Sequence, residues 1–266
     1  MIEKREDCLE AILRIVEEAG KLLPSGCGDG TIEYLEKEGV CNYVTSYDAA
    51  VQSYIEEKLK EIFPEAAFFA EEMQEEDRDV GQVTVYLDPI DGTANLIRGN
   101  GDASISVAVA KDGVLELGAV YVPGSGEMFC AQKGKGAFLN GVPIQVSKRS
   151  LPESIMIAGS ASYYKDVMGE QSMQLISRLY EKSADFRRYG SAALEMCQVA
   201  CGRAEFSFEM KLYPWDYAAG WLIVREAGGI VSALDGGELP LNRSSSVLCC
   251  NQTVYDDVRS VCRDIR

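Results

Sequence analysis

An apolar run from Val83 to Leu87 ends abruptly in Asp88-Pro89-Ile90-Asp91-Gly92-Thr93, which puts two carboxylates three positions apart with a rigid proline between them. Upstream, the short apolar run Ala66-Ala67-Phe68-Phe69 delivers Glu71 and Glu72 at its end. Three readings of this pattern compete. Asp, Pro and Gly all favour turns, so the segment can simply close a strand. Carboxylates and exposed carbonyls are also the oxygen ligands that a hard cation such as Mg²⁺ takes. Finally, Gly92-Thr93-Ala94-Asn95 can open a short helix whose first N–H groups face an anion. The rest of the chain favours the second and third readings.

The formal net charge is −16, and no basic run is available to neutralise a nucleic-acid backbone, so no nucleic-acid scaffold is expected as a partner. A phosphorylated substrate is still compatible with an acidic chain if cations line the site. The chain contains no His, which excludes Ser-His-Asp chemistry, His-ligated zinc and an imidazole base. Its nine Cys (Cys8, Cys27, Cys41, Cys130, Cys197, Cys201, Cys249, Cys250 and Cys262) are odd in number and form no Cys-x-x-Cys pair. Several sit in apolar runs, where a thiol behaves as a small hydrophobe. Met1-Ile2-Glu3-Lys4 leads straight into a helical pattern, so no signal peptide is expected and the reading is a reduced, cytoplasmic protein. No apolar stretch approaches the ~18 residues that span a membrane.

Leu9, Ile12, Leu13, Val16, Ala19 and Leu23 have helical spacing, and Pro24-Ser25-Gly26 stops that helix. A Gly-rich polar segment follows to about Cys41. Thr45-Ser46-Tyr47-Asp48 then reads as a helix start, with a Thr or Ser cap and an acid in the first turn, and its apolar stripe runs from Val51 to Ile62. After the acidic motif, Ser104–Ala110, Leu115–Val122, Glu127–Gln132, Ala137–Leu139 and Ile144–Val146 read as an antiparallel meander punctuated by Lys111-Asp112-Gly113 and Asn140-Gly141. From Leu151 strands alternate with helices: strands at 154–158, 185–189, 204–208, 230–232 and 247–250, and helices at 171–180, 192–201, 216–227 and 255–266. Two closely packed parts are expected, residues 1–147 with the meander and the acidic motif, and residues 148–266 as an α/β half. Tyr213-Pro214-Trp215-Asp216 places a further acid at a helix start, where Asp serves as an N-cap and keeps oxygen lone pairs to spare.

These pieces in this order resemble the inositol monophosphatase family, within the lithium-sensitive, Mg²⁺-dependent sugar phosphatase superfamily. The resemblance covers nearly the whole chain. It rests on Ala70-Glu71-Glu72, on Asp88-Pro89-Ile90-Asp91-Gly92-Thr93, and on Trp215-Asp216 followed by Ala218-Ala219-Gly220 and Glu226-Ala227-Gly228-Gly229. Tyr43-Val44-Thr45 with Asp48, Lys133-Gly134-Lys135-Gly136-Ala137 and Gly190-Ser191-Ala192-Ala193 support it. The implied fold is the layered αβαβα sandwich of the inositol monophosphatase and fructose-1,6-bisphosphatase superfamily, with the active site between its halves.

The resemblance also implies roles. Glu71, Asp88 and the Ile90 carbonyl would hold one Mg²⁺, and Asp88, Asp91 and Asp216 a second, with a weaker third ion reached from Glu71 through water. Gly92 and Thr93, beside Asp91, would bind the substrate phosphate, and Thr93 would orient the attacking water. Gly190, Ser191, Ala192 and Glu209 would contact a small phosphorylated polyol. Two cations roughly 3.5–4 Å apart can acidify water and clamp a phosphate without any His. Asn42 stands where the resemblance leads one to expect an Asp that pairs with the catalytic Thr, so Asn42 is expected to hydrogen-bond Thr93. Lys37 reads equally as a basic residue near the site or a solvated loop lysine. Arg187 and Arg188 read as solvated strand ends rather than as ligands of a second anionic group. Inositol monophosphate is the expected substrate. A 3′(2′),5′-bisphosphate nucleotidase, a fructose-1,6-bisphosphatase and a non-catalytic sugar-phosphate-binding protein are the alternatives. A homodimer is implied by the resemblance.

Overall fold

The computed structural model describes residues 5–24, 32–37, 42–74, 76 and 78–263. Its first sheet has seven strands in the order β3-β4-β5-β6-β7-β8-β9. These are β3 (Ala67–Ala70), β4 (Val83–Asp91), β5 (Ser104–Lys111), β6 (Val114–Val122), β7 (Glu127–Gln132), β8 (Gly136–Leu139) and β9 (Val142–Ile144). Only β3 and β4 run parallel; the rest form the antiparallel meander. The second sheet has the order β11-β10-β12-β14-β13, built from β10 (Ile155–Ala158), β11 (Asp185–Arg187), β12 (Phe206–Leu212), β13 (Ile230–Ser232) and β14 (Ser245–Cys250). In it β10, β11 and β12 are parallel, and β14 is antiparallel to both neighbours.

Helices fill three layers around these sheets. Helices α1 (Arg5–Gly20) and α2 (Ser46–Ile62) cover the outer face of the first sheet. Ile12, Val16, Val51, Ile55 and Leu59 are buried there against Val85, Leu87, Ile105 and Val107. Helices α5 (Ala192–Ala200) and α6 (Pro214–Glu226) lie between the sheets. Helix α4 (Lys165–Tyr180) and helix α7 (Tyr255–Arg263) close the outer face of the second sheet through Leu175, Leu179, Val258 and Val261. The result is the αβαβα sandwich. Covered on both faces, β5 has every residue but Lys111 buried, so it reads as an apolar run rather than an alternation. A central helix must likewise be apolar all round, and α6 buries ten consecutive-turn positions from Pro214 to Val224.

The structure extends several expected elements. Helix α4 starts at Lys165 rather than Gln171, behind a 3₁₀ turn at Ser162–Tyr164. Strand β12 continues past Phe208 to Leu212, through the polar residues Glu209 and Lys211, because a bulge opposite β14 lets its end leave the apolar layer. A short hairpin of β1 (Tyr34–Glu36) and β2 (Tyr43–Thr45) precedes α2 and gave no periodic signal. The expected Gly-rich segment falls largely on residues 25–31 and 38–41, and the expected end of the last helix on 264–266, which lie outside the described residues, as do Cys27 and Cys41. The described cysteines are all free thiols, most of them buried.

The central helix sits close enough to the first sheet that Gly118 on β6 is sterically required. A Cβ there would lie 3.1 Å from the Ala219 carbonyl oxygen and 3.3 Å from its Cα. Backbone cannot rotate aside, so Gly118→Val is expected to destabilise the fold by about 1–3 kcal/mol, an overpacking cost. Urea unfolding followed by tryptophan fluorescence measures it, and an unchanged midpoint would show that α6 can shift without loss.

Candidate active site

The acids come together for reasons written in the strands. Strands β3 and β4 are parallel with Ala70 opposite Leu87, so Glu71 and Asp88 emerge side by side at their C-terminal ends, and the Glu71 N–H still donates to the Leu87 carbonyl at 3.1 Å. In a regular strand, residues three apart point to opposite faces. Here Asp88 pairs with Ser106 and Asp91 with Ser104, so three steps on β4 match two on β5. That bulge at Pro89-Ile90 brings both carboxylates to the same face. Pro89 has no N–H to lose from the ladder, which makes it suited to this place.

Each acid is held by donors. The Ile90 N–H donates to Asp88 at 3.0 Å. Asp91 accepts from the Ser191 hydroxyl and the Ala193 N–H, both at 2.7 Å, which ties β4 to the start of α5. Asp216 accepts from the Tyr213 N–H at 2.6 Å. Lys37 bonds Glu71 at 3.0 Å and forms a closer contact with Glu72. Among the described residues no three acids are gathered as a metal-holding group.

The electrostatics follow from crowding. Burial, then Glu71, Asp91 and Asp216, push the Asp88 carboxyl well up from its ordinary range. Burial, then Asp91 and Glu71, do the same to Asp216. Asp91 is raised to about 6 by burial, against the opposing bonds from Ser191 and Ala193. Burial acts to lower the Lys37 ammonium, but Glu71 and Glu72 outweigh it and hold it raised. Glu72 is nonetheless raised, because burial and Glu71 exceed what Lys37 returns. The cluster is short of positive charge.

Thr93 opens helix α3 (Thr93–Arg98), with Gly92 as its cap at φ 91°. The first N–H groups of a helix have no partner within it. The Thr93 hydroxyl lies 3.2 Å from Asp48 Oδ1 and 3.1 Å from the Ile90 carbonyl. Its single hydrogen serves one of them at a time. This corrects the expectation for Asn42: the partner of Thr93 is Asp48. Asp48 Oδ2 accepts the Thr45 N–H and hydroxyl, each at 2.7 Å, so one carboxylate closes the capping box of α2 and also reaches Thr93. The signal was present in Thr45-x-x-Asp48, which reads as a cap and hid the second role. Asn42 instead lines the cleft, its carbonyl accepting from the Lys37 N–H at 2.7 Å.

The acids open onto a cleft of about 740 Å³, within the usual range for small-molecule sites. Asn42, Glu71, Asp91, Gly190, Glu209 and Asp216 line it, as does Ala192. Ser191 does not: its side chain is buried beneath, bonded to Asp91 and to the Ser104 hydroxyl at 3.0 Å, so it supports Asp91 rather than facing a ligand. Gly190 has φ 80° and its carbonyl would lie 2.9 Å from a Cβ at Gly92, so the glycine turn after β4 touches the one before α5. Glu195, missed in the sequence, holds this turn by accepting the Tyr189 and Gly190 N–H groups, both at 2.9 Å. Arg187 is an exposed strand-end residue paired with Asp185, whereas Arg188, read with it as a solvated strand end, lines the cleft.

With the geometry in place, comparison with known proteins is direct. The model of the inositol monophosphatase family matches residues 4–264. The chain is 36% identical over 251 residues to a protein of Haemophilus influenzae named Nus factor SuhB, covering 94% of this chain and 93% of that one. The Escherichia coli K12 protein of the same name is 34% identical over 86% of each. Among solved structures, the Thermotoga maritima IMPase superposes with a TM-score of 0.87 at 33% identity, covering 97% of this chain and 98% of that one. SaIMPase-II, solved with inositol monophosphate bound, gives 0.80 at 26% identity over 96% and 92%. The chain belongs to the inositol monophosphatase family.

Proposed function

We propose that the chain hydrolyses phosphate monoesters of small polyols, inositol monophosphate among them, in a Mg²⁺-dependent reaction, as a homodimer. The observation that carries this reading is the convergence of Glu71, Asp88, Asp91 and Asp216 beside a Thr93 hydroxyl held by Asp48. The donor set fits hard cations: carboxylates and a carbonyl, with no His or thiol among them, and with Asp88 and Asp216 raised by burial and then by their acidic neighbours. Glu71, Asp88 and the Ile90 carbonyl would hold one Mg²⁺, and Asp88, Asp91 and Asp216 a second, with a third reached from Glu71 through water. Bound there, the ions supply charge that acidifies water, clamps the phosphate and stabilises the departing oxygen.

The chain's own residues do the rest. The N–H groups of Gly92 and Thr93 donate to the phosphate oxygens. Thr93 Oγ1 accepts a hydrogen from the attacking water while directing its own towards Asp48, which aligns the water with the phosphorus. The new P–O bond forms as the ester P–O bond breaks, one proton of the attacking water is passed through solvent to the departing oxygen, and the resulting alcohol leaves towards Glu209 and the Gly190 turn. There Glu209 has a carboxyl raised to about 8 by burial and by Glu195 and Asp91, against Arg188, so it can donate as well as accept with ring hydroxyls.

The name of the relatives carries a second reading, service as a Nus factor, which stands against the expectation of no nucleic-acid partner. Complementation of the Escherichia coli relative's loss, by wild type and by a hydrolysis-dead variant, separates the two roles.

Phosphate release from inositol 1-phosphate is expected to require Mg²⁺ and to stop in chelator. Li⁺ should inhibit where Na⁺ does not. Asp88→Asn should lower kcat at least about 100-fold, since it removes charge shared by both ion positions. Full turnover in metal-free buffer would overturn the reading. The Thr93 assignment has its own test. Asp48→Asn should cost about 10²–10⁴ in kcat, the range of general-base effects. Asn42→Ala should cost far less. Equal losses, measured at saturating Mg²⁺, would remove Asp48 from the chemistry.

A further inference from the structure

The turn between β10 and α4 is anchored residue by residue, with one exception. Gly159 donates its N–H to the Phe208 carbonyl at 2.8 Å, and its own carbonyl accepts from the Ser172 hydroxyl at 2.6 Å. A Cβ at Gly159 would collide with the Glu209 carboxyl. Arg188 donates from Nε to the Ser160 hydroxyl at 3.0 Å and from Nη2 to the Ser162 hydroxyl at 2.8 Å, and those hydroxyls are themselves 3.0 Å apart. The Tyr164 N–H donates to the Ala161 carbonyl at 2.9 Å, and the Lys211 ammonium stands 4.0 Å from the centre of the Tyr164 ring. The exception is Tyr163.

Tyr163 lines the cleft and is 39% exposed, and its hydroxyl has no hydrogen-bond partner among the described residues. Burial, and then Glu71, Asp91, Asp216 and Asp88, hold its phenol above the ordinary range. Those are the same four acids that the cations would share. A phenol on which all four act faces them across the cleft, and one kept protonated is a donor. It is also presented at a cost. Ala161, which opens the 3₁₀ turn, sits at φ 48° and ψ 46°, the left-handed region that an L side chain adopts only under strain. One guanidinium clamps the serines two positions apart that precede the tyrosine, which fixes the turn further. A strained and anchored turn that carries a donor bonded to nothing in the chain is suited to a ligand that enters the cleft.

We propose that Tyr163 binds the phosphate of the substrate, its hydroxyl donating to an oxygen that the Gly92 and Thr93 N–H groups do not serve. This rests on the phosphomonoesterase reading and adds a residue from the second half of the chain to the phosphate site. A phosphate monoester has more acceptor oxygens than two N–H groups occupy. Gly92 and Thr93 follow the end of β4 and Tyr163 follows the end of β10, so the phosphate is held from both sheets. The bond goes to the phosphate and not to the alcohol, so it is indifferent to the leaving group.

Tyr163→Phe removes the hydroxyl and keeps the ring, which separates donation from covering the cleft. At saturating Mg²⁺ it should weaken the binding of inorganic phosphate about tenfold or more, the size of one hydrogen bond to a charged group, as read by isothermal titration calorimetry. The kcat/KM should fall by a similar factor on inositol 1-phosphate and on p-nitrophenyl phosphate alike, because the contact is to the group these esters share. Tyr163→Ala should lose little more than Tyr163→Phe. Unchanged phosphate affinity in Tyr163→Phe overturns the assignment. A loss confined to inositol 1-phosphate also overturns it, since the hydroxyl would then serve the alcohol. So does an intact Tyr163→Phe beside an impaired Tyr163→Ala, which would make the ring a cover. Wild-type turnover of inositol 1-phosphate reports separately on the parent reading, which survives each of these results. A wild-type chain inactive on both esters overturns both.

Discussion

Four carboxylates, Glu71, Asp88, Asp91 and Asp216, are held together although they repel one another, and the architecture of this chain can be understood as the means of holding them. Asp88 and Asp216 are each raised by burial and then by their acidic neighbours. Every such group works against folding unless donors or cations offset it. The apolar layers supply the stability that this arrangement consumes. Three buried clusters, two outside the sheets and one between them, make up those layers.

The holding is done mainly by backbone geometry. Parallel register sets Glu71 beside Asp88, a one-residue bulge turns Asp91 back to the same face, and the first turn of α6 carries Asp216 into the same cleft. Asp91 is the junction. It belongs to the first sheet, yet its carboxylate is bonded to Ser191 and Ala193 at the start of α5, a helix packed against both sheets. Near it, Gly92 and Gly190 approach so closely that a side chain on Gly92 would strike the opposite carbonyl.

What could be read from the sequence was set by how local each signal is. Asp88-Pro89-Ile90-Asp91-Gly92-Thr93 is legible because its six residues combine chemistries that a plain turn does not need together. Helical spacing marked α1 and α2 and alternation marked the meander between Ser104 and Leu139, whereas the layered arrangement of these pieces came from the family resemblance. Arg188 was read as solvated because a strand-end arginine gives no local sign of the two serines, more than twenty residues away in sequence, that turn it into the cleft. Strand β12 was cut short at Phe208 because its polar end leaves the apolar layer, and the same bend brings Glu209 and Lys211 to the cleft. Glu195 looked like one polar position on an apolar helix. Its function, holding the Gly190 turn, appears only when the backbone N–H groups it accepts from are seen.

Asp48 shows why local sense can conceal a second role. Thr45-x-x-Asp48 is complete as a capping box, and a capping box needs no further explanation. A carboxylate, however, has two oxygens, and the cap occupies one of them. Oδ2 takes both donors of Thr45, which fixes the plane of the group and leaves Oδ1 directed at Thr93 across 45 residues of chain. The cap is therefore also an orienting device. Because both Thr45 donors fall on one oxygen, the other stays an acceptor with no competing donor from the helix start. An amide in the same place would have to turn its NH₂ towards one threonine or the other, reversing a hydrogen bond on one side. Helix α2 is thus begun by the same group that gives the Thr93 hydrogen a direction, and the stability of that helix start and the alignment at Thr93 depend on one side chain.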